Sequence, residues 1–350
     1  MGNFQKSILL VVGLGFTFSC SPDPEGIPVI KGTNVVNDEL LLPDIASSIE
    51  EIPLETRDDV FVKSISSITK SDEHIYILDL DRISKFRLDG IYEGELAKKG
   101  EAPGDYLGAQ GISYDSESKS ILVAAHFNQA LLKYSDGGEL IGSAHFPYPF
   151  YVNATDNGIW VLSHGGFIES RNEGNVANVI GYRLDKDLVV TDSVLVKRVP
   201  LSGNEGMGRY ILQQHISSFD NSPGIHYAVI MNEGFLRDTL YHLEKDGLRA
   251  YSRFDFGFSD QRKVTYIYEI TGQGNYYFMT YGSNKHQISQ FVYDRENNIG
   301  YDLEQGITAA DGTKQLLHAF GDGDYFYIKR EVDETGFELN PIIVCVKLKE

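Results

Sequence analysis

Apolar and polar positions alternate in short runs along most of this chain, and the runs come in groups of four separated by polar turns. The clearest group reads GISYD, SILVAAH, QALLKYS and GELIGSAHF over 111–146. A period of two marks strands with one face buried, and helical periodicity is almost absent. Six such groups succeed one another at intervals of roughly 40 to 55 residues, the repeat at which small four-stranded sheets bury their faces against neighbours round an axis. The pattern predicts an all-β protein, a six-bladed β-propeller closed into one domain.

The turns place the blades. The first reads VKSISSITKSD, HIYILDLD, ISKFRLDG and IYEGELAKKG over 62–100, and the group quoted above is the second. The third spans 150–199, with GFIESRNEGN inserted between its second and third strands. The fourth begins at RYILQQHISSFDN and the fifth at VTYIYEIT. The sixth offers only KQLLHAFGDGD, YFYIKREV and NPIIVCVKL, so it is one strand short. The alternating segment 49–55, which contains EEIPLE, lies ahead of the first blade with no partner of its own. Added as the outer strand of the sixth blade it closes the ring and removes a bare edge, so the N-terminal strand is predicted to complete the last blade.

The amino terminus carries an address. Lys6 precedes an apolar stretch over 8–18 that is too short to span a bilayer, and Thr17, Phe18 and Ser19 lead to Cys20. Residues 1–19 therefore form a secretory signal. A cysteine directly after the apolar stretch resembles the bacterial lipobox, despite a Phe in its second place, and the resemblance implies cleavage before Cys20 and its lipidation. The alternative is plain secretion with an incidental cysteine. Residues 20–45 are predicted to be a lipidated tether and 46–350 the propeller. The tether opens on Ser-Pro-Asp-Pro-Glu-Gly, whose prolines cannot join a sheet. This acidic run looks like the export signal of surface lipoproteins in Bacteroides-type bacteria. The expected location is the outer membrane, facing the periplasm or the cell surface, with the lipid on Cys20 as the only membrane contact. Cys345, in the apolar strand IIVCVKL, is then a lone buried thiol, which removes disulfide, redox and zinc roles.

Charge narrows the partners further. Against 31 Lys and Arg stand 50 Asp and Glu, a formal net charge of -19. That field repels phosphate backbones and anionic head groups, so nucleic acid and lipid surfaces are disfavoured as partners. No cofactor motif is present, and a monomer is expected.

The first two blades carry a family resemblance. PLETRDD at 53–59, IYILD at 75–79, KFRLDG at 85–90 and KKGEAPGDYLG at 98–108 resemble the six-bladed β-propeller lipoproteins of Bacteroides-type bacteria, whose pattern reads approximately RKGxGPGEY. Glu101 and Ala102 stand where that family has a small residue and Gly, and Asp105 replaces Glu. The resemblance implies a propeller and a lipid anchor; it brings no settled activity.

Propeller geometry says where a ligand would sit. Loops from an outer strand to the next inner strand, and loops between second and third strands, share the face that surrounds the channel mouth. On the predicted blades these loops carry Asp79, Asp81, Asp105, Tyr106, His126, Asn128, Tyr148, His164, Tyr281 and Arg330 as candidate ligand-binding residues. Asp79 and Asp81 share one strand face, though acidic turns are common in so acidic a chain. His126 and His164 occupy equivalent places on adjacent blades, where two imidazoles could accept protons; turn capping is the plainer role, and no third metal ligand accompanies them. Gly100 and Gly104 of KKGEAPGDYLG lack the strand-to-helix setting of a phosphate loop and read as turn residues. No nucleophile elbow, HExxH or EF-hand loop occurs. Two readings survive. One is a non-catalytic binding or scaffold propeller at the envelope, holding a glycan, peptide or partner protein. The other is a hydrolase or lyase acting on an envelope or dietary polymer through the His pair and carboxylates.

Overall fold

The computed structural model describes residues 26–349, apart from 32–34, 38, 81, 171–173, 202–213, 220–221, 228–237, 245–246, 256–263, 284–286 and 320–323. Six antiparallel sheets succeed one another along the chain as a six-bladed β-propeller. The first blade is Ile65–Lys70, His74–Asp79, Arg82–Arg87 and Tyr92–Glu95, and the second Ala109–Asp115, Ser120–Ala125, Ala130–Ser135 and Leu140–His145. The third blade consists of Pro149–Thr155, Gly158–Ser170, Gly174–Leu184 and Val190–Leu201. Its insertion lengthens the central hairpin instead of forming a separate loop, with 171–173 outside the described residues. The fourth is built from Gln214–Phe219, Ser222–Tyr227, Thr239–Glu244 and Gly247–Asp255, and the fifth from Val264–Gln273, Tyr276–Ser283, Ile288–Asp294 and Ile299–Glu304.

Burial explains the strand chemistry. Second strands lie in mid-blade with a neighbouring sheet on each face, and HIYILD and SILVAA are buried at every position. Alternate side chains then serve different gaps. Ile75 and Ile77 pack towards the sixth blade while Tyr76 and Leu78 pack towards the second. Ile121 and Val123 face the first blade, whereas Leu122 and Ala124 face the third. The described core accordingly divides into six apolar clusters, one in each gap between blades. Outer strands have solvent on one side and alternate in exposure, as Leu140–His145 does.

The sixth blade is completed from the other end of the chain. Ala46–Pro53 pairs antiparallel with Ile342–Leu348, setting Ile52 opposite Ile343 and Glu50 opposite Cys345. Tyr325–Lys329 and the short strand His318–Ala319 finish the sheet. Cys345 is buried, as its apolar strand requires. Pairing to the ring begins well before residue 46. Val29–Lys31 runs parallel to Gly247–Asp255 on the edge of the fourth blade, and Val35–Asn37 parallel to Ile299–Glu304 on the fifth. A stretch expected to be tether thus covers two sheet edges that would otherwise offer unpaired backbone.

One irregularity recurs. The first, innermost strand of the first blade slips register between Ile65 and Ser67, that of the second between Ala109 and Gly111, and that of the third between Pro149 and Tyr151. The fifth slips between Ile267 and Glu269. Each slip is a bulge, which leaves a residue outside the ladder and re-aims the side chains beside it. Because innermost strands surround the axis, the bulges together shape its lining.

Candidate functional site

The sequence-predicted residues scatter over several roles. Tyr106 is fully buried, and its hydroxyl accepts the Ile83 N–H at 2.9 Å, so it locks the first blade to the second and is closed to ligand. Asp79 is also buried; its carboxylate accepts the backbone N–H groups of Ser64 at 2.8 Å and Lys63 at 3.2 Å, tying down the approach to the first blade. Asn128 accepts the Leu107 N–H at 2.5 Å and holds the turn after the second strand of its blade. Tyr281 is buried in the gap between the fourth and fifth blades and donates to Asp302. Arg330 donates to Glu338 and to the Lys63 carbonyl, each at 2.8 Å. The Asp105 carboxylate packs over Gly100 within the KKGEAPGDYLG loop. Asp81 lies outside the described residues. The spacing of polar residues on strand ends identified turn hardware more often than open chemistry.

His126, Tyr148 and His164 do come together. The two imidazole centroids are 5.9 Å apart in an edge-to-face arrangement, and the Tyr148 ring lies 5.2 Å from that of His126. Tyr148 has a left-handed backbone, φ 46°, unusual for so large a side chain, and its carbonyl accepts the His164 N–H at 3.3 Å. Phe150 stacks on the His164 ring at 4.4 Å. Burial, with the neighbouring His126 adding to it, pushes His164 down to about 3. His126 is lowered too by desolvation, against an opposing bond to the backbone of Pro149. Among the described residues, no carboxylate pairs with either ring and no three His, Cys, Asp or Glu side chains group as metal ligands. An imidazole with so low a pKa is a poor base near neutrality, which leaves the pair as an aromatic seam between two blades.

That seam has a measurable pH signature. An unfolded histidine titrates near 6.5 and folded His164 near 3, so the unfolded chain binds the extra proton between those values. Stability from this residue is complete above the unfolded value and is lost as pH falls. At pH 5 the loss is roughly 2 kcal/mol. His164→Phe keeps the stacked ring without the titration. The gap between its denaturant midpoints at pH 7.5 and pH 5 should therefore be smaller than the wild-type gap; equal gaps would place the proton uptake elsewhere.

The open chemistry lies at the axis. A cavity of about 340 Å³ is lined by the innermost strands of the first, second, third, fifth and sixth blades. Its wall includes Ser66 and Gln110, the residues the first two bulges leave unpaired, and Tyr151 and Glu269, each just past a later one. In the sixth blade the first strand is so short that Phe326 and Ile328 of the second also reach the axis. The Glu269 carboxylate faces Nδ1 of His318 at 4.0 Å, beyond hydrogen-bond range. With 20% of its side-chain surface accessible, Glu269 is pushed up to about 7 by desolvation, and burial lowers His318. Sequence reasoning missed both. The available signal was an ionisable residue inside a first strand otherwise rich in apolar and aromatic side chains, VTYIYEIT and LLHAF.

Among the described residues, no helix is long and apolar enough to cross a membrane. Solved structures with a similar fold include two from Bacteroides species. A candidate exported protein of Bacteroides fragilis superposes with TM-score 0.60 at 13% identity, covering 92% of this chain and 100% of that one. A member of the DUF4221 family from Bacteroides vulgatus gives TM-score 0.51 at 12% identity, covering 87% and 97%. No curated protein matches the sequence. The model of the DUF4934 family, a domain of unknown function, matches residues 26–334, most of the chain, and the protein belongs to that family.

Proposed function

We propose that this chain is an exported, envelope-anchored propeller that binds a small ligand at its axial opening and does not turn it over. The observation that carries the reading is the coincidence of bulged innermost strands with a cavity of about 340 Å³, within the size range of ligand pockets. Supporting export are the apolar leader, Cys20 at its end, and the likeness to a candidate exported protein. A glycan fragment, a peptide end or an exposed side chain of a partner protein would each reach such an opening. The hydrolytic alternative has less support: among the described residues no carboxylate pairs with the two imidazoles, and Asp79 is spent on backbone N–H groups. Ligand-observed NMR with a library of small glycans, dipeptides and amines tests the reading. Binding is expected to wild type, without turnover, and to be abolished in Ala319→Trp, which fills the cavity wall. Turnover of any member, or no binding by wild type, would overturn it.

A further inference from the structure

The lining of the axial cavity selects among ligand chemistries. Its polar groups are few and partly committed: the Ser66 hydroxyl donates to the Leu78 carbonyl at 3.0 Å, and the Ser67 hydroxyl accepts the Ile112 N–H at 3.5 Å. The Tyr151 hydroxyl is buried beside the Asn153 amide. A polyhydroxylated neutral ligand would find, beside these, the Gln110 amide and the His318 imidazole to pair with, but no cationic side chain among the described lining residues. An anion would meet the Glu269 carboxylate, and no Lys or Arg is present among the described lining residues. Beside the Gln110 amide and the His318 imidazole, the lining holds one carboxylate, acceptor-only when ionised and with no donor in hydrogen-bond range among the described residues, set among aromatic and aliphatic walls.

We infer that the cavity takes a small organic ammonium ion, with Glu269 accepting its N–H donors and Phe326 and Tyr151 covering its apolar body. The inference rests on the binding role proposed above and adds the ligand class. A largely buried carboxylate with no Lys or Arg beside it among the described lining residues gains most from a cation brought by the ligand, because a charge-assisted hydrogen bond is roughly twice as strong as a neutral one. The surrounding field agrees in sign: a net charge of -19 raises the local concentration of cations at the opening.

Benzylamine and benzyl alcohol share a ring and differ in charge, so calorimetric titration of both at pH 8 isolates the contribution of Glu269. Wild type is expected to bind the amine roughly tenfold or more tightly than the alcohol, and Glu269→Gln to erase that preference. Unfolding of each variant is followed in parallel, and the wild-type preference is a test in itself should Glu269→Gln not fold. Equal affinities in wild type, or a preference that survives Glu269→Gln, would overturn the ammonium assignment and leave the binding role standing. Failure of both compounds to bind wild type would overturn the two together.

Discussion

Gly90→Ala is expected to destabilise the protein by on the order of 3 to 5 kcal/mol, measured as a fall in denaturant midpoint at unchanged slope. Gly90 sits at φ +88° in the turn between the last two strands of the first blade, and its carbonyl accepts the Glu55 N–H at 2.9 Å. A Cβ there would overlap the carbonyl oxygen of Pro53, the last residue of the strand that closes the ring. The obstacle is backbone on both sides and has no rotamer to escape into. Gly104 provides the control. It too has a left-handed backbone, φ +92°, but nothing lies within 4 Å of its would-be Cβ. Gly104→Ala should therefore cost only about 1 kcal/mol, the conformational part alone. Similar losses for the two variants would mean that the first blade does not bear on the closing strand as the structure shows.

Asn340→Ala should cost about 3 kcal/mol or more, because one side chain satisfies a whole irregular crossing. Asn340 is buried, its Oδ1 accepts the Val62 N–H at 2.8 Å, and its Nδ2 donates to the carbonyls of Glu55 at 2.8 Å and Val60 at 2.9 Å. Its own N–H donates to the Thr56 hydroxyl at 2.8 Å. The segment leaving the closing strand cannot make ladder bonds there, so this amide replaces the sheet. Alanine orphans a buried donor and two acceptors. Asn340→Asp keeps the acceptor but turns oxygen towards two carbonyls, so it should be worse at pH 7 than at pH 4, where the acid form can donate. Thermal unfolding of the three proteins at both values decides this. An aspartate variant insensitive to pH would show that the crossing is open to water.

The ring was legible because its physics is periodic. A sheet buried on both faces must read as HIYILD or SILVAA, and a sheet with one wet face must alternate, so the order of strands within a blade is written in hydrophobicity. Closure was legible by elimination, since 49–55 alternated without a partner and the last blade lacked a strand. The site was far less so. Tyr106 stands in a glycine-rich loop and looked exposed, yet its ring fills a gap between blades, a matter of where the loop folds back and not of composition. Glu269 depends on a one-residue slip in an inner strand, and a slip changes which side chains face the axis without changing the sequence pattern. The paired histidines converge as their equivalent positions suggested, and the desolvation that disarms them comes from Phe150 and Tyr148, which only the packing reveals.

Joining Ala46–Pro53 to Ile342–Leu348 has a consequence for how the molecule comes into being. The Ser47 hydroxyl donates to the Lys347 carbonyl across a sequence separation of 300 residues. Contacts so remote carry a large loop-closure entropy and form late. During synthesis the early blades can assemble while Ala46–Pro53 waits for a mate that does not yet exist, its edge open to other chains. A protein built this way is vulnerable until Ile342–Leu348 emerges, and its maturation depends on keeping that waiting ribbon solitary.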